Sequence, residues 1–569
     1  MNIEKPVDNR RFVWGWAIVA VALTMLPYLY GMLLVGAGPA RAWYSWLGYN
    51  LDDVCVYLSW MRQAADGHFF QRNLFTTDPQ IGHQFNLFFV VLGGLTGLLH
   101  LSPITVYHIS RVLLGLAFLR ATWWLIQIFL SDRSAQRCAY LLVCFSAGLG
   151  WLPGLWHYSG INSPVDVWQP EAITFLCLYL SPLFLVSLLL MAGTIGNLWK
   201  AEKERRVLSA FYAGLCGLAL GNIHTYDVIT LSAIWGGWLV LKGIMDRRID
   251  MATIGRTILA GAMTAISTGY TWWIFTHEAV FARRVAVPTT SPPILLYILA
   301  YAPLLILSIY GIWRVVNHQA EKGRRRLPDE TLFLITWMII NLAVAYAPVS
   351  FNRKMLMGEH VALALLGGIG LSAIITLLPM QSRKPVLSLS VLLLFITNGM
   401  FLWRDANNFQ NNSGQTNIQR PYLYEGEKES LDWIRQNTPR SAAVQPIPWV
   451  AVTKEHKLAL LDATMACFTP GLTGHPVNAG HWGDTPDFAA ATFKWVHFMM
   501  EDTKDQYRRD LILDTGVRYL IFSQKRFDPN SPQDIAVSQS IFVNGKIPSW
   551  LHKITQASNG DADVYEVIP

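Results

Sequence analysis

From Phe12 to Val35 the chain reads FVWGWAIVAVALTMLPYLYGMLLV, an apolar run longer than a soluble core helix requires. About 20 predominantly apolar residues suffice to cross a bilayer. Lys5, Arg10 and Arg11 precede the run, which orients its N-terminal end toward the cytoplasm. Ala37 and Ala40 imitate a cleavage site, but the run far exceeds a secretory h-region and is expected to stay as an anchor.

The same pattern recurs. Of 569 residues, 52% are hydrophobic and only 15% charged, and further apolar blocks lie near 84–101, 104–130, 138–155, 172–199, 207–221, 228–243, 252–275, 293–316, 331–348, 359–379 and 385–403. The expected fold is a polytopic α-helical membrane protein with about 11–13 transmembrane helices. Basic loops orient the blocks. Lys200, Lys203, Arg205 and Arg206, then Arg247 and Arg248, then Lys322 with Arg324 to Arg326, then Arg383 and Lys384 mark four cytoplasmic loops, each pair separated by two blocks. The N-terminal half satisfies the parity if 84–101 is a re-entrant or interfacial helix, because Gln84 and Asn86 make a poor entry into lipid. Asp166 and Glu171 then share the external side with Asp53.

The character changes at Arg404. Residues 404–569 carry 16 Lys and Arg against 19 Asp and Glu, in a chain whose formal charge is +7. A basic membrane region followed by a mildly acidic external domain accounts for that split. The expected division is a membrane domain over 1–403 with a first external loop at about 37–83, a linker over 404–426 that includes the Asn-rich 407–417, and a small C-terminal α/β domain over 427–569. Within it, 427–436, 487–500 and 504–514 read as helices, and 443–447 and 517–523 as strands.

Directly after the first block comes NLDDVCVYLSWMRQAADGHFF, Asn50 to Phe70. Carboxylates are costly against lipid, so Asp52 and Asp53 are expected to face an aqueous cleft and are the first catalytic candidates. The plainer alternative is that they cap and solvate the start of an amphipathic helix. Six cysteines offer little chemistry: Cys138, Cys144, Cys177 and Cys216 fall in apolar blocks, and Cys55 and Cys467 lie far apart in sequence. CxxC, HExxH, Walker A and Rossmann patterns are missing, which argues against a structural metal framework and against a soluble nucleotide enzyme. The modest basic charge suits loop orientation rather than nucleic acid.

Asp53, with Tyr57 four residues on and Gly67 after WMRQAADG, resembles the first external loop of the GT-C superfamily of integral membrane glycosyltransferases, the group of protein mannosyltransferases and aminoarabinose transferases. Two departures mark a divergent member: Val54 stands where the family carries a second acid, the extra acid here being Asp52, and a Pro-Pro pair is replaced by the region of Gln84 and Asn86. The resemblance implies inverting transfer of a sugar from a polyprenyl-phosphate donor to a lipid, glycan or protein acceptor at the outer face of a bacterial inner membrane, the C-terminal domain being periplasmic or extracellular. Asp53 is the expected general base, with Asp52 raising its pKa or exchanging roles with it. Arg353 and Lys354, in SFNRKMLMGEH (Ser350 to His360), break the positive-inside pattern and resemble the loop that meets the donor phosphate; Arg283 and Arg284 are second choices. Attraction of these cations to headgroups is the competing reading.

Other polar groups are candidate substrate contacts: Tyr57; Glu171; His224 and Asp227 in NIHTYD; and His475, His481, Trp482 and Asp484 in TGHPVNAGHWGDTPDF, where the indole would meet a sugar face. His475, His481 and Asp484 leave a divalent metal open, although no cofactor is specified. Membrane lipids are expected partners, nucleic acids are not. Two other classes fit the composition: a transporter or flippase, disfavoured because ionisable residues gather at one face without a repeat, and a noncatalytic envelope-assembly protein, which would need no acid in a cleft.

Overall fold

The computed structural model describes residues 9–152, 162–248, 250–414, 418–452, 458–524 and 539–568. Lys5, the end of the 138–155 block and positions 415–417 of the Asn-rich stretch lie outside these. Seven helices are long and apolar enough to cross a membrane: Arg10–Leu33, Pro103–Phe129, Pro182–Lys203, Tyr226–Asp246, Ile294–Glu321, Asn352–Leu377 and Met380–Asn411. The chain is an integral membrane protein. The expected 11–13 counted apolar blocks, and several of these fold as other helices, among them Leu87–Leu99, Arg133–Phe145, Val207–Ile223 and Asp329–Val344. Leu87–Leu99 has 13 residues, a rise of about 20 Å. That is too short for a hydrocarbon core of about 30 Å, in keeping with a re-entrant or interfacial helix.

The chain divides into two compact units. One comprises Met1–Leu26, His108–Trp273 and Pro288–Trp403. Here Glu359–Leu377 packs on Arg133–Phe145 and on Ile294–Glu321, and small residues bring the backbones together. A side chain at Gly368 would collide with the backbone of Ala139, and one at Gly311 with the Leu366 carbonyl. Such close approach replaces the hydrophobic driving force that lipid cannot supply between helices. Phe129, Trp199, Trp238, Phe333 and Trp337 form an aromatic cluster with ring centroids 5.0–6.2 Å apart. Two of the basic segments and the end of helix Tyr226–Asp246 also converge. Lys203, Lys242 and Arg326 all pair with Asp329, at 2.8, 2.7 and 2.7 Å, so these segments share one end of the unit.

The other unit comprises Pro27–Tyr107, Ile274–Val287 and Arg404–Pro569. Its four-stranded sheet runs in the order Ala443–Pro446, Val517–Ser523, Ala562–Val567, Leu551–Lys553, with the first pair parallel and the others antiparallel. Trp495, Phe498, Phe522 and Trp550 fill the core on it. The expected helices and strands of the tail appear within one or two residues as Glu425–Asn437, Ala443–Pro446, Phe488–Met499, Asp505–Thr515 and Val517–Ser523.

Arg404 to Asn411 continue the helix Met380–Asn411, and Tyr422–Leu423 pairs antiparallel with Trp43–Tyr44, so the stretch expected as a linker is built into the structure. Tyr44 and Tyr422 stack at 4.8 Å across that pair. Below it, buried Arg420 binds Glu427 at 2.8 and 3.1 Å and Asp462 at 2.6 Å. Helix Thr464–Thr473 lies on helix Leu51–Ala65, where Gly471 lets it settle against Leu58 and Cys55. Cys467 and Cys55, both free and buried, come together here from more than 400 positions apart in sequence.

Candidate active site

Helix Leu51–Ala65 begins at Asn50, whose left-handed backbone (φ 61°) turns the chain into the first helical turn and leaves its amide free to donate to Asp53 Oδ2 at 2.8 Å. One acid of the pair faces inward and the other outward, because adjacent helical positions point about 100° apart. Asp52 is 5% exposed, whereas the Asp53 side chain is 31% exposed. Burial, then the charge of Asp53, raises the Asp52 pKa above the ordinary carboxylate value, partly opposed by His481. Asp52 therefore favours the neutral form more than a solvated aspartate does.

The loop after Thr473 brings the remaining groups. His481 Nε2 stands 3.4 Å from Asp53 Oδ1, and its Nδ1 stands 3.2 Å from Asp484 Oδ2. The backbone N–H groups of Gly483 and Asp484 donate to Nδ1 at 3.1 and 3.0 Å, which puts the hydrogen of a neutral ring on Nε2, facing Asp53. Arg284 Nε meets Asp484 Oδ1 at 3.2 Å, and its guanidinium lies 5.4 Å from the Trp60 ring. The result is a row of facing groups, Asp53, His481, Asp484 and Arg284, whose charges alternate only when His481 is protonated. Asp53 thus accepts a hydrogen bond from Asn50, faces the His481 ring at 3.4 Å and keeps part of its side chain exposed, where a carboxylate can receive a proton from an incoming hydroxyl.

The first loop fixes this constellation. Asn73 Nδ2 donates to the Asp484 carbonyl at 2.6 Å, Thr485 Oγ1 to the Phe75 carbonyl at 2.7 Å, and the Val477 amide to the Leu74 carbonyl at 2.8 Å. Trp482, 43% exposed, stacks beside His481 with ring centroids 5.8 Å apart. A cleft of 460 Å³ adjoins the same segment, lined among others by Asp66, Arg72, Asn73, Thr76, Gln80 and Arg440.

The remaining sequence candidates fall elsewhere. Tyr57 is buried and stacks on Phe89 at 5.0 Å. His475 is buried against the Thr438 hydroxyl at 2.8 Å, and burial with the charge of Arg440 pulls its pKa down to about 4. It belongs to the packing there. Among the described residues no three His, Cys, Asp or Glu side chains are arranged to hold a metal ion, so no step is routed through one. Arg283 pairs with Asp78 at 2.7 Å.

In the other unit, the Arg353 guanidinium lies 5.0 Å from the Trp168 ring and the Lys354 ammonium 5.1 Å from the Tyr226 ring. Neither ion-pairs with an acid among the described residues, and Arg353 Nε is buried without a partner. His224 Nδ1 bonds Asp227 Oδ2 at 2.8 Å, and the Ser187 hydroxyl donates to the same oxygen. Glu171 is buried in the turn Pro170–Ala172.

Solved structures with this architecture carry the next step. Over 99% of its length the chain is similar to the arabinofuranosyltransferase AftD from Mycobacteria, with TM-score 0.52 and 12% identity, and it spans 40% of that longer protein. Over 97% of its length and 98% of the other's it is similar to ArnT from Cupriavidus metallidurans bound to undecaprenyl phosphate, with TM-score 0.50 and 12% identity. The chain shares the fold of these two solved structures. No family model and no curated protein sequence matches the chain.

Three supporting residues carry the constellation beyond those the sequence singles out. Asn50 orients Asp53, Trp60 carries Arg284, and Asn73 anchors the Asp484 backbone. Asn50 carried a signal, since Asn tolerates the left-handed turn before a helix. Trp60 and Asn73 carried none, because their partners lie hundreds of residues away.

Burial alone would lower the His481 pKa, but the bond to Asp53 and the charges of Asp484 and Asp52 outweigh it and hold the ring above its ordinary value. The sign follows. A raised folded-state pKa contributes stability that is fully present below about pH 6.5 and is lost as pH rises through the folded value. Thermal melting of the wild type is expected to exceed that of His481→Gln most at about pH 6 and progressively less toward about pH 9. A gap that stays constant with pH removes His481 as a titrating element.

Proposed function

We propose that this protein is a membrane glycosyltransferase that moves a sugar from a polyprenyl-phosphate-linked donor to a hydroxyl acceptor at the outer membrane face, with Asp53 as general base. The observation that supports this best is the half-exposed Asp53 carboxylate, braced by Asn50 and His481 on a GT-C fold. The acceptor O–H gives its proton to Asp53 as its oxygen attacks the anomeric carbon. The bond from that carbon to the phosphate oxygen breaks on the opposite face, with inversion, and polyprenyl phosphate leaves. Hydroxyls are weak nucleophiles at neutral pH, and a positioned base contributes about 10²–10⁴ in rate.

Asp52 serves as a buried neighbour rather than the base, because proton transfer needs hydrogen-bond reach to the acceptor. Arg284 supplies positive charge near the departing phosphate, and Trp482 offers a ring face to a sugar. The 460 Å³ cleft, whose lining includes amides, hydroxyls and charges of both signs, offers hydrogen-bonding groups to a polyhydroxylated acceptor. The test uses purified protein with labelled polyprenyl-phosphate sugars and envelope glycan, lipid and peptide fractions as acceptors. Acceptor-dependent release of polyprenyl phosphate is expected; release by no combination, with the protein folded, ends this reading.

Arg353 and Lys354 are further candidates for the donor phosphate, since their charges rest on aromatic faces with no acid to neutralise them among the described residues. Arg353→Ala with Lys354→Ala is expected to weaken binding of sugar-free polyprenyl phosphate by about 10- to 100-fold. Equal binding by wild type and the double variant removes them from the donor site.

A further inference from the structure

A second cavity lies in the unit that holds Asp53. Its volume is 300 Å³, and its walls include Trp43, Trp46, Arg62, Lys428, Arg435 and the Ser102–Thr105 segment that opens helix Pro103–Phe129. The lining carries three cations against one acid, Asp432, which is already paired with Lys428. Arg62 is 7% exposed, and its Nε is buried without a partner among the described residues. Burial, together with the charges of Arg435 and Arg440, pulls its pKa down to about 10, the mark of a locally positive potential only partly offset by Asp66. A buried cation in this state is unfavourable until an anion joins it.

Two features identify the anion. The cavity sits at the mouth of a helix of 27 residues that is long and apolar enough to cross a membrane, and the positive end of that helix faces it. Tryptophans beside basic residues at such a helix mouth occupy the headgroup level of a bilayer. Lys428 also lies 5.6 Å from the Trp43 ring, so the indole and the charge share one wall.

We propose that this cavity binds the phosphodiester headgroup of an anionic phospholipid, with Arg62, Lys428 and Arg435 around the phosphate and Trp43 and Trp46 against the rest of the headgroup. The site is separate from Asp53 and does not depend on the transfer chemistry.

The test follows lipids retained by detergent-purified protein in native mass spectrometry after exposure to phosphatidylglycerol or phosphatidylcholine. Wild type is expected to keep phosphatidylglycerol in preference. Lys428→Ala with Arg435→Ala, both on the surface of a helix, is expected to lower its affinity about thirtyfold, at roughly a factor of five per basic residue. Arg435→Glu, checked for wild-type melting, gives the same direction through a single exposed change. Equal retention by wild type and these variants, or equal retention of the two lipids, overturns the proposal. Displacement of phosphatidylglycerol by inorganic phosphate as effectively as by a short-chain phosphatidylglycerol would assign the cavity to free phosphate and overturn the lipid as its ligand.

Discussion

Asp53→Asn is expected to lower the rate of the proposed sugar transfer by about 10²–10⁴-fold while the protein melts as the wild type does. The amide keeps the size of the carboxylate and its place beside Asn50 and His481, but it cannot take a proton. Asp53 is partly exposed, so the change leaves no buried cavity. Asp52→Asn is expected to cost much less in rate, because Asp52 is buried and already inclined to the neutral form that asparagine mimics. Single-turnover transfer with a fixed donor, measured beside thermal melting, separates the two. If Asp53→Asn turns over normally and Asp52→Asn is dead, the base is Asp52 and the orientation of the helix start has been misjudged.

Arg420→Met destabilises the Asp53-containing unit by about 3–5 kcal/mol, the cost of leaving buried charge uncompensated. Arg420 is the cation between Glu427 and Asp462, all three nearly inaccessible to water. Its loss strands two carboxylates. Glu427→Gln is expected to cost less, since Arg420 retains Asp462. The ordering matters for function, because this cluster underlies the pairing of Tyr422–Leu423 with Trp43–Tyr44, which ties the tail to the loop carrying Asp53. Proteolytic nicking of the tail and the melting midpoint report the effect. Wild-type melting by Arg420→Met, or greater damage from Glu427→Gln, sinks this account.

The apolar blocks and the tail elements were legible because each is a local property. Hydropathy over about 20 residues does not depend on what lies elsewhere. Val517–Ser523 is found where its short length and its β-branched and aromatic residues predict a strand. The strands Leu551–Lys553 and Ala562–Val567 were missed, since the first is three residues long and gains its identity only by pairing with the second. The polar cluster around His481 stood out by composition, yet His475, six residues earlier in the same cluster, is a packed side chain, and composition cannot separate the two.

By itself the sequence determined that this is a membrane protein with an acidic helix start just after its first apolar run, since the cost of polar groups in lipid acts on every segment alone. The tertiary structure decided which acid is open, which histidine reaches it and which arginine closes the row. Asp53, His481, Asp484 and Arg284 come from three distant stretches of chain, and their meeting depends on the hydrogen bonds of Asn73 and Thr485 and on the helix contact at Gly471. A side chain's direction is set by what its backbone packs against, and that information resides in no window of the sequence.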